Sequence, residues 1–388
     1  MIHYGFDNLS LKLICNYFNG RSQLVRLNDV LSAVQLIKLG VPQGSVFGPL
    51  LFLIFINDLA FKLTLACKLF ADDTTLYEVT QAPNETLESL IIKFKLKLYP
   101  LLKWCKFNRM DINWSKTFFM IVTAKHKSKM AIPTSIEIDS HDVVVTDSFK
   151  LLGVLIDNDL TFNQHIVNIC KNVNIKLFSI KKLFYLPFVV RLQFFKTFIL
   201  PLFDYCLSLI IYFSKTQIQR LSNCYYACLY KLFRFDYTCK ELDEINNSLE
   251  KYHLFGFQHR VVLRLSLFGH IIENIPNAPP KLKELLLHTK DRNIPYNFRK
   301  TTTSTLFLPK IKTHYGEKTF KFFFNKFLEK TCIVQINLPF IDFRKHIIST
   351  INPICTQFIE IFENFDISYK KFCYIHYGKK KQNVTEKT

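Results

Sequence analysis

Over 388 residues, 49% hydrophobic and 21% charged, the chain has a globular composition with room for two or three domains and a substantial core. Its formal charge of +20 and pI near 9.4 favour polyanionic partners and steer their encounter, without specifying a fold. Eleven scattered cysteines, no C-x₂-C pair and no secretory signal at Met1 argue against a disulfide-stapled secreted protein. They point instead to reduced thiols in an intracellular protein, nuclear or cytoplasmic.

Residues 1–60 read as a helix, a hairpin, a Gly-rich loop and a buried helix. Asp7 falls in the first helix and Asp29 in the turn Arg26-Leu27-Asn28-Asp29. The loop runs Gly40-Val41-Pro42-Gln43-Gly44-Ser45-Val46-Phe47-Gly48-Pro49. Glycine lets backbone approach a ligand closely, and Ser45 can cap the apolar helix that follows. By itself this is a Gly/Pro turn ahead of a core helix.

Next comes Phe70-Ala71-Asp72-Asp73, bounded by the apolar stretches Leu63–Phe70 and Thr74–Val79. The pattern predicts a β-hairpin with the two acids at its tip. Adjacent carboxylates repel and raise one another's pKa unless a cation holds them. Oxygen-only acidic sites suit Mg²⁺ or Mn²⁺, so the pair is a candidate metal platform for phosphoryl transfer, although Asp is also simply a good turn former. Successive strand residues face opposite ways, so the two acids need not act equally, and Asp72 is the stronger candidate.

Asn84 can cap a helix that runs towards Lys106 and is broken at Pro100. Residues 91–130 hold ten Lys or Arg against one acid, Asp111, interleaved with Trp104, Phe107, Trp114, Phe118 and Phe119. Residues 290–330 repeat that bias, with Phe320 and Phe322–Phe324. Basic residues among aromatics suit phosphate tracking and base stacking. Strands are predicted at Thr117–Thr123, Ser135–Ile138, Val143–Val145 and Lys150–Ile156, giving an α+β fold of helices on an antiparallel sheet.

After Asp159 the pattern turns helical. Ile166, Ile169, Cys170, Val173, Leu177, Ile180 and Phe184 share one face. Gln193–Tyr212 and Gln217–Phe235 continue as helices, and another helix covers His259–Ile272. Phe194–Phe213 is apolar enough to raise the question of a membrane span, but Lys196, Asp204 and Pro201 interrupt it, which favours a core helix pair broken near Pro201. Cys224-x₃-Cys228 has helical spacing and reads as core packing rather than structural zinc. Pro276–Pro280 marks a boundary, and Lys379-Lys380-Lys381 lies in a basic tail.

Together these segments resemble the reverse transcriptases of non-LTR, LINE or jockey-like retrotransposons. Gly-Val-Pro-Gln-Gly-Ser-x-x-Gly-Pro-Leu-Leu-Phe, then Ile-Asn-Asp-Leu, then Phe-Ala-Asp-Asp-Thr carry the resemblance. It continues in Trp104–Asn108, Ile112-Asn113 and Lys116-Thr117, in Phe149–Asp157, in His165-Ile166, and more loosely in Pro201-Leu202-Phe203-Asp204-Tyr205-Cys206 and Leu221–Phe233. It implies a partial polymerase palm at 1–158, a helical thumb at 159–240 and a mixed C-terminal region at 241–388. It further implies an RNA-directed DNA polymerase, a nucleotidyltransferase acting on an RNA template, a DNA primer and dNTP with Mg²⁺ or Mn²⁺. Asp72 and Asp73 would hold metal, Lys116 would assist the leaving group, and Pro42, Gln43, Gly44 and Ser45 would contact nucleotide or template. Leu152 and Gly153 would grip the primer.

The family also carries a catalytic Asp in a segment like Asp-x-x-x-Ala-Phe-Asp, which would precede Gly40. Residues 1–39 hold only Asp7 and Asp29, in other contexts. The expectation is therefore an N-terminally truncated enzyme, with an inactive remnant that binds nucleic acid as the alternative.

Overall fold

The computed structural model describes residues 2–42, 44–79, 85–122, 131–233, 248–276, 278–288, 308, 319–330 and 338–362. Two compact units result, one of residues 1–119 with 132–146 and the other of 120–131 with 147–388.

The first unit opens on α1 (Asn8–Phe18), capped by Asp7, whose Oδ1 accepts the Ser10 N–H at 2.7 Å. Hydrogen bonding from the Ser10 side chain, and then from its N–H, lowers the pKa of the Asp7 carboxyl. Two nested pairs of two-residue strands follow, and Asn28, at φ 52°, makes the inner turn. Helix α2 (Phe47–Lys62) leads into a hairpin of strands Ala66–Phe70 and Asp73–Tyr77. Beyond it lie α3 (Leu87–Phe107), a 3-10 turn at Trp114–Lys116 and a three-stranded sheet. In that sheet Phe118–Phe119 pairs parallel with His141–Val145, which pairs antiparallel with Ser135–Ile138. The fold is α+β, built from small separate sheets.

Two small cores hold this unit. Ile56 and Leu59 of α2 meet Trp104, with Leu69 and Leu101 packed against them. Leu98 of α3 joins Ile136, Ile138 and Val143, with Leu76 and Trp114 alongside. Helix α3 is thus the spine shared by hairpin and sheet. The structure corrects three expectations here. Thr86 rather than Asn84 caps α3, its Oγ1 accepting the Ser89 N–H at 3.2 Å; Asn84 itself lies outside the described residues. Pro100 does not break the helix, because Leu98 and Trp104 on either side are both anchored in core. Helix α2 buries one stripe only, leaving Phe47, Leu50, Leu53, Phe55 and Phe61 exposed, since an apolar helix has more surface than these cores can cover.

The second unit begins with the hairpin Ser148–Leu151 and Val154–Asp157. Helix α4 (Asn163–Lys182) buries Ile166, Cys170, Val173, Leu177 and Ile180, on the predicted face, against the helix Lys215–Phe233. Phe188–Tyr212 folds as short helical pieces, with a π-turn at Phe195–Ile199 ahead of a helix at Leu200–Asp204. The break expected near Pro201 falls instead at Tyr205-Cys206, where Cys206 is left-handed at φ 52°. Pro201 sits in the first turn of its helix, where a missing N–H costs nothing, and the widened π-turn carries the chain into it. The helix Phe257–Asn274 and the helices Phe320–Lys330, Phe340–Ser349 and Ile351–Ile361 complete the large core.

Phe323 and Phe324 belong to that core, with Phe320 packed against it, so they do not offer faces to bases. In the first basic cluster Trp104 is buried, whereas Phe107 and Phe118 are exposed. Most of residues 290–318 and Lys379–Lys381 lie outside the described residues. No helix among the described residues is long and apolar enough to cross a membrane.

Candidate active site

The acidic hairpin pairs Phe70 with Asp73, leaving Ala71 and Asp72 as the two-residue turn. Cys67, Leu69 and Leu76 are half-buried towards the cores. Phe70, Lys68 and Asp73 lie on the other, open face, where Phe70 is 62% exposed. Asp72 and Asp73 are both exposed, and neither carboxylate forms a hydrogen bond or an ion pair among the described residues. Ala71 is left-handed at φ 50°, a conformation that costs an L-residue roughly 1–2 kcal/mol. Burial raises the pKa of the Cys67 thiol, which lies on the half-buried face of the hairpin.

The Gly-rich loop is tied down by one hydroxyl. Ser45 Oγ accepts the Gly48 N–H at 3.0 Å and donates to the Pro42 carbonyl at 2.8 Å. The Tyr17 hydroxyl donates to it at 2.5 Å. Gly44 is left-handed at φ 77°, with open space where a side chain would start. A Cβ on Gly48 would stand 3.0 Å from Ser45 Oγ and 3.2 Å from the Pro42 oxygen. The loop therefore presents exposed backbone at Gly44 over a close-packed base. Helix α2 springs from this loop and packs Ile56 and Leu59 with Leu69, so loop and acidic hairpin share a support.

Lys116 is in the same unit, exposed, on a turn closed by its N–H to the Asn113 carbonyl at 3.0 Å. Trp114 anchors that turn in core and stacks on His141 at 4.6 Å. Gln43 lies outside the described residues. Leu152 and Gly153 belong to the second unit, as the two left-handed turn residues of the Ser148–Asp157 hairpin, at φ 46° and 89°. Tyr17 and Arg260 carry no sequence signal, and Tyr205 stands out only as part of the Pro201–Cys206 segment, without a role. The partners of Tyr17, Tyr205 and Arg260 are 28, 53 and 56 residues away, a separation that leaves no periodic trace.

Residues 3–156 match the family model described as reverse transcriptase (RNA-dependent DNA polymerase). The probable RNA-directed DNA polymerase from transposon BS of Drosophila melanogaster is 32% identical over 161 residues, 39% of this chain and 17% of that protein. The corresponding protein of the X-element, from the same fly, is 29% identical over 172 residues, 42% of this chain and 18% of that protein. This segment is similar to the reverse transcriptases of non-LTR retrotransposons. The RNA-directed DNA polymerase from mobile element jockey of Drosophila funebris is 28% identical over 173 residues, 41% of this chain and 17% of that protein. The chain spans less than a fifth of the length of these curated relatives. No solved structure matches it.

The reverse transcriptase segment thus contains the Gly-rich loop, the acidic hairpin, Lys116 and the hairpin turn at Leu152-Gly153. Among the described residues no group of three or more His, Cys, Asp or Glu side chains is placed to hold a metal ion. The tip of the hairpin supplies the carboxylates of Asp72 and Asp73, a set that fits a hard divalent cation with water completing its shell.

Proposed function

We propose that the chain forms part of an RNA-directed DNA polymerase in which the Asp72–Asp73 turn holds Mg²⁺ or Mn²⁺ for two-metal nucleotidyl transfer. The observation that carries this is the pair of exposed carboxylates on a sharply turned hairpin, uncommitted to any Lys or Arg among the described residues. Bound there, divalent cations would acidify a primer 3′-hydroxyl and neutralise the departing pyrophosphate. Exposed backbone at Gly44, with Pro42, Gln43 and Ser45, would contact the incoming nucleotide or template. Lys116 would offer a positive charge or a proton to the leaving group. The Leu152-Gly153 turn would seat the primer end. The surplus of 20 positive charges would draw RNA template and DNA primer to the protein.

A second reading is favoured by the acid count. With two carboxylates rather than three grouped among the described residues, this chain by itself would bind nucleic acid without extending a primer. We prefer this for the isolated 388-residue chain.

Primer extension on an RNA template with Mg²⁺, beside an Asp72→Asn control, separates the readings. Extension abolished by the control establishes the polymerase. Salt-dependent retention of the template without extension establishes the second reading. Salt-independent or absent binding overturns both.

A further inference from the structure

Tyr205 reaches across 53 positions to the Ser148–Asp157 hairpin, and its hydroxyl donates to the Leu152 carbonyl. Its ring lies on the next residue: a Cβ on Gly153 would meet Tyr205 Cε1 at 3.2 Å. Glycine is thus required there twice, for its left-handed φ and for the space. Tyr205 is itself fixed from behind. Its N–H is donated to the Pro201 carbonyl at 3.0 Å, at the end of a helix whose Phe203 packs edge-on against buried Tyr225. The preceding residue, Asp204, accepts from Arg260 Nε at 2.5 Å, from a second Arg260 nitrogen and from Arg264. Two guanidinium groups of one long helix, Phe257–Asn274, therefore grip the carboxylate next to the tyrosine. All of these residues lie in the second unit.

We propose that Tyr205 is a positioning residue for the Leu152-Gly153 turn, and that Asp204 with Arg260 and Arg264 makes residues 257–274 the brace behind it. The inference rests on the reading of that turn as the seat of a primer end. Part of the C-terminal region then serves to hold the height and tilt of the turn against a strand's 3′ terminus.

Two measurements test it on the full chain. The first is amide exchange without nucleic acid. Tyr205→Phe keeps the ring and removes the bond, and exchange at Leu152–Val154 is expected to rise at least fivefold, with helix α4 unchanged. Unchanged exchange overturns the proposal. The second uses a DNA primer carrying 4-thiothymidine at its 3′ end, annealed to RNA and irradiated. In the wild type the adduct is expected on Ser148–Asp157. Tyr205→Phe is expected to cut its yield at least fivefold while affinity for the duplex stays within twofold. Arg264→Gln, at a side chain that is 45% exposed, is expected to cut it about twofold. Equal yields in all three overturn the brace and leave the primer seat standing. No adduct on this hairpin in the wild type overturns the primer seat itself, and the brace with it.

Discussion

The Tyr17 hydroxyl donates to Ser45 Oγ at 2.5 Å, joining the first helix to the Gly-rich loop. The same oxygen accepts the Gly48 N–H and donates to the Pro42 carbonyl, so one hydroxyl group organises the entry to α2. Tyr17 is held in turn by Phe47, 6.0 Å away, and by the Arg21 guanidinium, 5.0 Å from its ring. Tyr17→Phe keeps these ring contacts and deletes one bond. It should destabilise the first unit by about 1 kcal/mol, lowering its thermal midpoint by roughly 3–4 °C. An unchanged midpoint would show that the loop holds itself.

Gly48→Ala tests the floor of the loop. The new Cβ would push against Ser45 Oγ and the Pro42 oxygen, overpacking that costs about 1–3 kcal/mol. Alanine's better helix propensity returns about 1 kcal/mol. The net expectation is a loss near 1 kcal/mol in urea unfolding of the first unit. Gly44→Ala should lose about 1–2 kcal/mol from its left-handed φ alone, since open space surrounds it.

Asp204 and its two arginines differ sharply in exposure. The Arg260 side chain is 10% exposed and that of Arg264 is 45% exposed. Removing Asp204 strands a buried guanidinium, so Asp204→Ala should cost about 3–5 kcal/mol in the second unit. Arg264→Ala should cost under about 1 kcal/mol, because its charge stays in water. Chemical denaturation of the two variants checks the ranking.

The second unit should also weaken in mild acid. Burial lowers the pKa of His165, whose Nδ1 accepts the Leu155 N–H, and of His259. With native values below the unfolded value near 6.5, the unfolded chain takes up protons first. The stabilisation is complete above about pH 6.5 and drains as pH falls through the depressed native values. Thermal midpoints of the second unit between pH 7.5 and 5 should fall, and His165→Asn should flatten part of that slope. A midpoint that rises on acidification would contradict the buried neutral rings.

Local features were the legible ones. Two apolar runs around a short acidic pair announced the 66–77 hairpin, and three- and four-residue spacing announced the buried face of α4. Pro100 misled because a proline's local penalty says nothing of the packing on both sides of it. Phe323 and Phe324 misled because aromatics beside lysines look alike whether the rings face solvent or core. The loop's dependence on Tyr17 and the grip of Arg260 on Asp204 were illegible for another reason. Each is a single polar contact between distant segments, and no composition or period encodes it.

The direct test of the metal site is iron-mediated cleavage of the full chain. Fe²⁺ in place of Mg²⁺, with ascorbate and peroxide, cuts backbone beside the bound ion. Cleavage within residues 70–75, suppressed by excess Mg²⁺ and lost in the Asp72→Asn/Asp73→Asn double variant, is the expected result. Cuts that fall elsewhere, or that persist in the double variant, would contradict a metal at the acidic turn.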